Sequence, residues 1–523
     1  MVSTWRSQTR YLTSMVVTLM LIFLIALPVL AQPATTAAPG KASPPAASQA
    51  LVKKHADKAD PSLVGSWTAP IPWGVTAIHA ALLHTGAAGQ VLGWWYPLGT
   101  ATHSPAKLLD LATGTVTDVT IPFDGDFFCA GQTVMADGRV LVTGGLVGNP
   151  YPGVPDKGHP LTAIFDPVTA TWSQGPSMNF ARWYPTNMEM SSGKILTLTG
   201  KNADATAIVL AMEVLDPATN QWTTLPSSAN IPPVSDTYLK MKQLPSGKIF
   251  EAGANAQTRM FSPATNRWTN VGKMNFGTRY HGASVLLPGL TKVLTAGGTL
   301  TYPGGGATAT AEVIDLSAAT PQWSYVAPMN IPRYNANLLL LADGTVLVVG
   351  GAQTKKYSDP VHVPELYDPL ANTWTEMATQ TAPRTYHSTA LLLPDGTVWS
   401  GGSDDPFNVN TGNAYEIFSP PYLFKGARPT ITTAPTSVGY NQKFTITTPD
   451  AANIRTVALV RPGATTHDDE MDQRYVILPF TRGSGQLTAT SPPNGNYAPP
   501  GYYMLVIVNS NGVPSIMPFV QLM

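Results

Sequence analysis

Cysteine is almost absent from this chain, since Cys129 is the only one among 523 residues. A lone cysteine excludes a framework of intrachain disulfides. Charged residues are also scarce, at 12% against a usual value of about 25%. The formal net charge is zero, and no basic run follows the N-terminal segment. The chain therefore lacks the electrostatic footprint of a nucleic-acid-binding protein, and we exclude that class.

The N-terminal segment has the pattern of an export signal. Arg6 and Arg10 precede an apolar run over residues 11–30, and the run ends at Ala31 with the small-residue pattern of a signal-peptidase site. We therefore expect residues 1–31 to be a signal peptide and the protein to be secreted, extracellular or at the cell surface. An uncleaved run of this length would instead anchor the chain in a membrane.

Composition divides the rest of the chain. Residues 32–61 are rich in Ala, Pro, Ser and Thr, which predicts a flexible spacer. The remaining part is too long for one hydrophobic core, so at least two domains are expected. The chain contains 48 prolines and 45 glycines, which predicts many turns. The expected class is all-β.

A strand–turn–strand phrase recurs about every fifty residues. Its turn glycine is followed by apolar residues and a closing glycine, and a second phrase of the form Asp-Pro…Trp ends most units, as in 165–172 and 367–374. This punctuation resembles kelch repeats. With a degenerate first unit at 78–95, seven units lie within residues 62–424, which predicts a seven-bladed kelch-type β-propeller. Residues 427–523 instead read as short alternating strands, typical of an immunoglobulin-like β-sandwich.

Unusual residues occupy one phase of the repeat. Nine positions before successive turn glycines stand Cys129, Tyr184, Tyr238, Asn335 and His387. If the strand nearest the axis begins each blade, these residues converge on the mouth of the central channel. Histidine and tyrosine there would offer the N and O donors that copper(II) favours. The alternative is a hydrogen-bonded polar plug in the channel.

Four motifs carry a more specific resemblance. They are Phe128-Cys129-Ala-Gly131, Arg182-Trp-Tyr184-Pro185, Arg384-Thr-Tyr386-His387-Ser388, and Thr466-His467 followed by Asp472-Gln473-Arg474. In this order they resemble the galactose oxidase and glyoxal oxidase family of copper radical oxidases. The resemblance covers nearly the whole mature chain.

The resemblance implies roles for five residues. The sulfur of Cys129 would bond to the ring of Tyr184, giving a thioether-linked cofactor that ligates one copper ion and holds a radical. Tyr386 would be the axial ligand and the base that takes the substrate proton. His387 and His467 would complete the copper ligands, with His467 carried into the channel by a sandwich loop over residues 462–473.

The same resemblance implies the reaction. An aldehyde or primary alcohol would be oxidised by O2, with release of H2O2. Small aldehydes, primary alcohols and terminal groups of glycans are all compatible substrates. We expect a monomer that binds no nucleic acid.

Two features depart from a simple match. Arg279-Tyr280-His281 is a second Tyr-His pair, and we prefer Tyr386-His387 because it lies in the last blade, where the family places its pair. Tyr238, Tyr280, His281 and Tyr334 would then form the channel wall, support the metal ligands or contact the substrate. No tryptophan follows Tyr184 before Trp222, which favours the glyoxal oxidases over the galactose oxidases. Trp183 is expected to point away from Tyr184, because neighbours in a strand face opposite sides.

Two rival functions make different predictions. A non-catalytic propeller that binds carbohydrate or protein would not bring the Cys, Tyr and His side chains together. A glycan lyase or glycosidase would need paired carboxylates near the axis, and the strand-entry positions offer none.

Overall fold

The structure is a computed structural model that describes residues 60–97, 101–147, 157–301, 305–404 and 412–523. The predicted signal peptide, 1–31, and nearly all of the predicted spacer, 32–61, lie outside these residues. None of the helices within the described ranges has the length and apolar character needed to span a membrane. The helices that lie wholly within the described ranges are α1 (Pro61–Val64) and three 3₁₀ turns at Ser227–Ala229, Pro421–Phe424 and Ala451–Asn453.

Seven sheets of the described chain form the blades of a propeller, which confirms the predicted all-β fold. The chain enters through β1 (Ser66–Trp67) and β2 (Ile71–Pro72). Blade 1 contains β3 (His79–Leu83), β4 (Gln90–Trp94), β5 (Ala106–Asp110) and β6 (Val116–Asp118). Blade 2 contains β7 (Gly131–Val134), β8 (Val140–Thr143), β11 (Thr162–Asp166) and β12 (Thr171–Gln174), with β9 (Leu146–Val147) and β10 (Lys157–Gly158) as a separate pair.

The next blades repeat this arrangement. Blade 3 contains β13 (Trp183–Glu189), β14 (Ile195–Lys201), β15 (Glu213–Asp216) and β16 (Gln221–Thr224). Blade 4 contains β17 (Met241–Gln243), β18 (Ile249–Glu251), β19 (Gln257–Ser262) and β20 (Arg267–Lys273). Blade 5 contains β21 (Ala283–Leu286), β22 (Lys292–Ala296), β23 (Ala311–Asp315) and β24 (Trp323–Val326).

The last two blades complete the ring. Blade 6 contains β25 (Tyr334–Leu340), β26 (Val346–Lys355), β28 (Glu365–Asp368) and β29 (Thr373–Glu376), with β27 (Ser358–Pro360) paired to β26. Blade 7 contains β30 (Ser388–Leu392), β31 (Val398–Gly402) and β32 (Ala414–Ser419). The N-terminal β1 pairs with β32 as the outermost strand of blade 7. Strands from both ends of the propeller sequence therefore close the last blade.

The repeated tryptophans join neighbouring blades. The indole of Trp172 in blade 2 donates a 2.7 Å hydrogen bond to the carbonyl of Val119, which follows blade 1. Trp222 and Trp374 make the equivalent bonds to the carbonyls of Pro176 and Ala327. Each indole satisfies its one donor while its ring adds buried apolar area. The tryptophan repeat thus serves blade packing.

Buried Arg–Glu pairs hold the entrances of four blades. Each arginine lies just before an innermost strand and reaches a glutamate of the same blade, in the pairs Arg182–Glu213, Arg279–Glu312, Arg333–Glu365 and Arg384–Glu416, at 2.6–3.6 Å. All eight side chains are 0–1% exposed. Because a buried charge needs its partner, these pairs fix the backbone that leads into the channel.

The C-terminal strands form a β-sandwich, as predicted. One sheet contains β33 (Ser437–Val438), β35 (Ile454–Val460), β38 (Tyr475–Ile477), β41 (Gly501–Asn509) and β42 (Phe519–Leu522). The other contains β34 (Lys443–Thr447), β39 (Phe480–Gly483) and β40 (Gln486–Thr490). We propose the boundaries 62–424 and 427–523 for the two domains.

One hairpin from the sandwich part of the sequence pairs with the propeller and not with the sandwich sheets. Strands β36 (Ala464–Thr466) and β37 (Asp469–Glu470) pair with each other, and β36 pairs with β3, the innermost strand of blade 1. Asp472 accepts hydrogen bonds from the hydroxyl of Thr133 and the backbone N–H of Val134 in blade 2, and Gln473 bonds the backbone of Leu340 in blade 6. The inserted hairpin, residues 464–470, is therefore held from several sides of the channel.

Candidate metal centre

The residues at the predicted phase share a rare backbone conformation. Six strand-entry residues have φ between 50° and 67°, in the left-handed region, and they are Cys129, Tyr184, Tyr238, His281, Asn335 and His387. Non-glycine residues seldom adopt this region, and those that do cluster at functional sites. His467, at the tip of the inserted hairpin, has φ 49°. Each of blades 2 to 7 therefore has one strand-entry residue in which the left-handed backbone changes the direction of the side chain.

Three candidate ligands from distant parts of the chain converge. The ligand atoms of Cys129, His387 and His467 all lie within 4.8 Å of one another, and all three residues are buried. The sulfur of Cys129 lies 3.2 Å from Nε2 of His467. Blades 2 and 7 and the inserted hairpin thus meet at one point.

The two candidate tyrosine ligands lie at the same point. The hydroxyl oxygens of Tyr184 and Tyr386 are 3.1 Å apart. The ring of His467 lies 5.2 Å from that of Tyr184 and 5.3 Å from that of Tyr386, centroid to centroid. The five residues expected from the sequence therefore surround a common centre.

Both histidines direct Nε2 toward this centre. The hydroxyl of Thr466 donates its hydrogen to the carbonyl of Ile78. It therefore accepts a hydrogen bond from the Nδ1–H of His467, at 2.6 Å. Nδ1 of His387 lies 2.8 Å from the carboxylate of Asp404. Since a carboxylate only accepts, Nδ1 carries the proton and Nε2 keeps its lone pair. Neither ring nitrogen of His387 makes a well-aligned hydrogen bond among the described residues, so Nδ1 meets Asp404 in an ion-pair contact, whereas Nε2 is buried with no partner at all.

Burial governs the protonation of these groups. It lowers the pKa of His387, although the carboxylate of Asp404 partly opposes the shift. It lowers the pKa of His467 further, and nearby His387 adds to the effect. Burial also raises the pKa of the Cys129 thiol and of the Tyr184 phenol. The two histidines are therefore neutral at pH 7, which is the state that binds a metal.

The donor set fits copper(II). Two neutral imidazoles and two phenol oxygens give the N,O ligands that suit this ion. An imidazole whose second nitrogen is bonded to a carboxylate is the usual arrangement of a metal-ligating histidine. The buried, unpartnered Nε2 of His387 supports the same interpretation, because such an atom is costly without a partner.

The second Tyr-His pair lies beside this centre. His281 of blade 5 contacts Asp468 through Nδ1 at 2.9 Å, and Lys240 contacts the same carboxylate at 2.6 Å. The ring of His281 lies 5.7 Å from that of Tyr386. His281 is therefore a neighbour of the cluster that contains His387. Tyr238 contacts the centre more closely, with its ring 4.9 Å from that of His467.

The expected orientation of Trp183 is wrong. Its ring lies 4.6 Å from the ring of Tyr184 at an interplanar angle of 42°, so the two side chains share one side of the backbone. The cause is the left-handed conformation of Tyr184, with φ 67°, which interrupts the alternation of a regular strand. Trp183 is 7% exposed and covers Tyr184 where the sequence predicted no cover.

A cavity of about 530 Å³ opens onto the centre. Tyr184, Tyr386 and His467 line its floor, together with residues of blades 3 to 6. The acidic and basic residues Lys201, Asp236, Lys240, Lys356 and Asp468 line it, and so does His281. The ammonium of Lys356 lies 3.6 Å from the centroid of the Tyr386 ring. A small molecule in this cavity would reach the tyrosines directly.

Sequence reasoning missed several residues around the centre. Asp404 carried a signal, because pairing of Ser388 with Gly402 in blade 7 places the following residues beside Tyr386 and His387. Lys356 lies between β26 and β27, in a hairpin that the other repeats do not predict. Asp236 and Lys240 flank Tyr238, which the repeat phase did identify.

Two family models match consecutive parts of this chain. The family model described as the glyoxal oxidase N-terminus matches residues 99–422. The model described as a galactose oxidase-like early set domain matches residues 428–522. Together they span most of the propeller and nearly all of the sandwich.

Similar proteins span the same region. A galactose oxidase of Gibberella zeae is 30% identical over 496 residues, which is 86% of this chain and 71% of that protein. An aldehyde oxidase of Vitis pseudoreticulata is 27% identical over 80% of this chain and 86% of that protein. A fungal alcohol oxidase of the AA5 family, solved in complex with copper, is 28% identical with a TM-score of 0.78, over 88% of this chain and all of that one.

Proposed function

Because the chain belongs to the galactose oxidase and glyoxal oxidase family of copper radical oxidases, we propose that it oxidises an aldehyde or a primary alcohol with O2 and releases H2O2. The observation that carries this proposal is the convergence of Cys129, Tyr184, Tyr386, His387 and His467 on one buried centre. A non-catalytic binding module would not need that arrangement.

The ligand assignment is part of the proposal. Nε2 of His387, Nε2 of His467 and the phenol oxygens of Tyr184 and Tyr386 would hold one copper ion. Copper(II) held there would supply a one-electron acceptor, which is half of what oxidation of an alcohol or an aldehyde hydrate requires. The ring of Tyr184, as a radical, would accept the other.

Cys129 and Tyr184 would form the second redox group. In the proposed thioether, the sulfur bonds to a ring carbon of Tyr184, and one hydrogen leaves each residue. The two protons and two electrons pass to O2, which becomes H2O2. The amide of Tyr184 donates a 2.9 Å hydrogen bond to the carbonyl of Cys129, so the backbone already holds the two residues side by side. Trp183 would shield the radical from solvent through its contact with Tyr184.

Tyr386 would take the substrate proton. Its hydroxyl lies 3.1 Å from that of Tyr184, so the proton acceptor and the electron acceptor are adjacent. Both line the cavity that a substrate would enter. We therefore propose that the substrates are small aldehydes, primary alcohols or terminal glycan groups that reach the cavity floor. Within the family, the function is proposed to resemble that of the glyoxal oxidases more than that of the galactose oxidases.

The cellular setting is also proposed. We place the mature protein outside the cell or at its surface, as a monomer with no nucleic-acid partner. The basis is the N-terminal pattern and the neutral net charge.

Peroxide release tests the proposed reaction. The copper-loaded protein is incubated in air with a panel of alcohols and aldehydes, and H2O2 and O2 consumption are measured together. One H2O2 per O2 consumed is expected, with none from the Tyr184→Phe variant. A wild-type protein that binds copper but turns over no member of the panel would contradict the proposal.

A further inference from the structure

His79 is fully buried beside the centre, and the repeat phase does not include it. It lies in β3, the innermost strand of blade 1, where its backbone pairs with Thr466 of the inserted hairpin. Its ring stacks on Trp94 at 4.8 Å with an interplanar angle of 6°. The proposed mechanism gives this side chain no role.

Hydrogen bonds fix the tautomer of His79. Nε2 accepts the backbone N–H of Cys129 at 3.0 Å. Nε2 is therefore unprotonated, and Nδ1 carries the proton. Nδ1 lies 2.9 Å from Oε1 of Gln132, which accepts that proton. The imidazole is thus neutral and locked in one orientation.

Gln132 extends this link in two directions. Its amide nitrogen donates to the carbonyl of Ala80 at 3.0 Å and to the carbonyl of Thr465 at 2.9 Å. Thr465 belongs to the inserted hairpin that carries His467. The His79–Gln132 pair therefore ties blade 1, blade 2 and the inserted hairpin together around Cys129.

Cys129 needs such support. Its φ of 55° is in the left-handed region, which a non-glycine residue keeps only when its surroundings impose it. Its carbonyl is held by the amide of Tyr184, and its amide is held by His79. Its sulfur lies 3.2 Å from Nε2 of His467. Without the acceptor on His79, the Cys129 amide would be buried and unpaired.

We propose that His79, locked by Gln132, is a positioning residue that holds Cys129 for bond formation with Tyr184. This inference rests on the proposed thioether cofactor. In this proposal His79 acts through its hydrogen bond to the backbone of Cys129; its ring also lies 5.9 Å from that of His467, centroid to centroid, so copper binding is measured separately. It should therefore govern the rate at which the thioether forms.

The test compares His79→Gln with His79→Leu. The Oε1 of glutamine can occupy the place of Nε2 and accept the Cys129 amide, whereas leucine has a similar size and no acceptor. Each purified copper-free protein receives copper(II) in air, and the mass of the peptides containing Cys129 and Tyr184 is followed with time. We expect His79→Gln to lose the two hydrogens at close to the wild-type rate, and His79→Leu to do so at least about tenfold more slowly.

Copper binding and stability separate positioning from general damage. The spectrum of bound copper(II) and the Tm are recorded for each variant, and rates are compared only at copper saturation. If His79→Leu does not fold, Gln132→Met replaces it, because it leaves Nδ1 of His79 without an acceptor and should also slow the reaction. Equal rates in all variants would overturn the positioning role alone. A wild-type protein that binds copper and never loses the two hydrogens would overturn the cofactor, and the positioning role with it.

Discussion

Blades 5 and 7 both present a Tyr-His pair at the channel, and only the pair of blade 7 belongs to the candidate metal centre. In each blade a buried arginine paired with a buried glutamate precedes the histidine, and both histidines have a left-handed backbone, with φ 52° for His281 and 64° for His387. Their surroundings differ. The side chain of His281 is 16% exposed and contacts Asp468, whereas that of His387 is 3% exposed and lies with Cys129 and His467.

A single residue accounts for much of this difference. The histidine stands two positions after Arg279 in blade 5 and three positions after Arg384 in blade 7. The extra residue lets Tyr386 turn into the channel next to Tyr184, whereas Tyr280 pairs its backbone with Thr299 and lines the cavity wall. Similar motifs thus acquire different chemistry through spacing and through the carboxylate that each histidine meets.

The largest expected contrast comes from removing each histidine. His387→Ala should weaken copper binding by more than the roughly 10–100-fold that loss of an outer partner costs, because it removes a ligand. His281→Ala should change the affinity by less than about tenfold. A titration against a competing chelator measures both. Equal losses of copper affinity in the two variants would mean that both Tyr-His pairs bind the metal, which would contradict the difference between blades 5 and 7.

Exchanging each carboxylate for its amide should give a smaller contrast. Asp404→Asn lowers the basicity of His387 and loosens its orientation, so copper affinity should fall about 10–100-fold. Asp468→Asn acts on His281 and Lys240, and the copper affinity should stay near that of the wild type. The copper spectrum of each variant provides the check, since only Asp404→Asn should alter it.

The buried Arg–Glu pairs should not distinguish the two blades. Glu312→Gln and Glu416→Gln each leave a buried arginine uncompensated, which costs about 3–5 kcal/mol of folding free energy. Both variants should therefore lose stability to a similar degree in denaturant unfolding. A large loss in blade 7 alone would show that the pair there has a role beyond holding the blade entrance.

The smallest effect concerns pH. Burial holds the pKa of His387 and His467 below the usual value of 6.5, so protons compete with copper only at a pH below that value. Copper should remain bound as the pH falls through 6.5 and leave at lower pH, as a dialysis series would show. Half-release near pH 6.5 would mean that the histidines titrate as exposed groups.

Much of this fold was predictable because its physical basis is local. Turn glycines and tryptophans recur at fixed intervals, and they specify hairpins and blade contacts independently of distant residues. The phase of the repeat also located Cys129, Tyr184 and His387 at one level of the channel. The repeat did not predict that β1 closes blade 7, since a two-residue strand has no periodicity to detect.

Side-chain direction was harder to predict than position. Trp183 was expected to face away from Tyr184 because strands alternate, and the left-handed backbone at Tyr184 reverses that result. Gln132 acts through hydrogen bonds to blade 1 and to the inserted hairpin, which sequence spacing does not reveal. His79 stands in the degenerate first repeat, where the pattern is weakest.

The mass of the joined peptides tests the central claim most directly. The full-length protein is prepared without copper, exposed to copper(II) in air and digested, and the peptides holding Cys129 and Tyr184 are weighed. If the thioether forms, one species two hydrogens lighter than the separate pair is expected, and it should be absent from Cys129→Ser. A free Cys129 thiol in protein that has bound copper would contradict it.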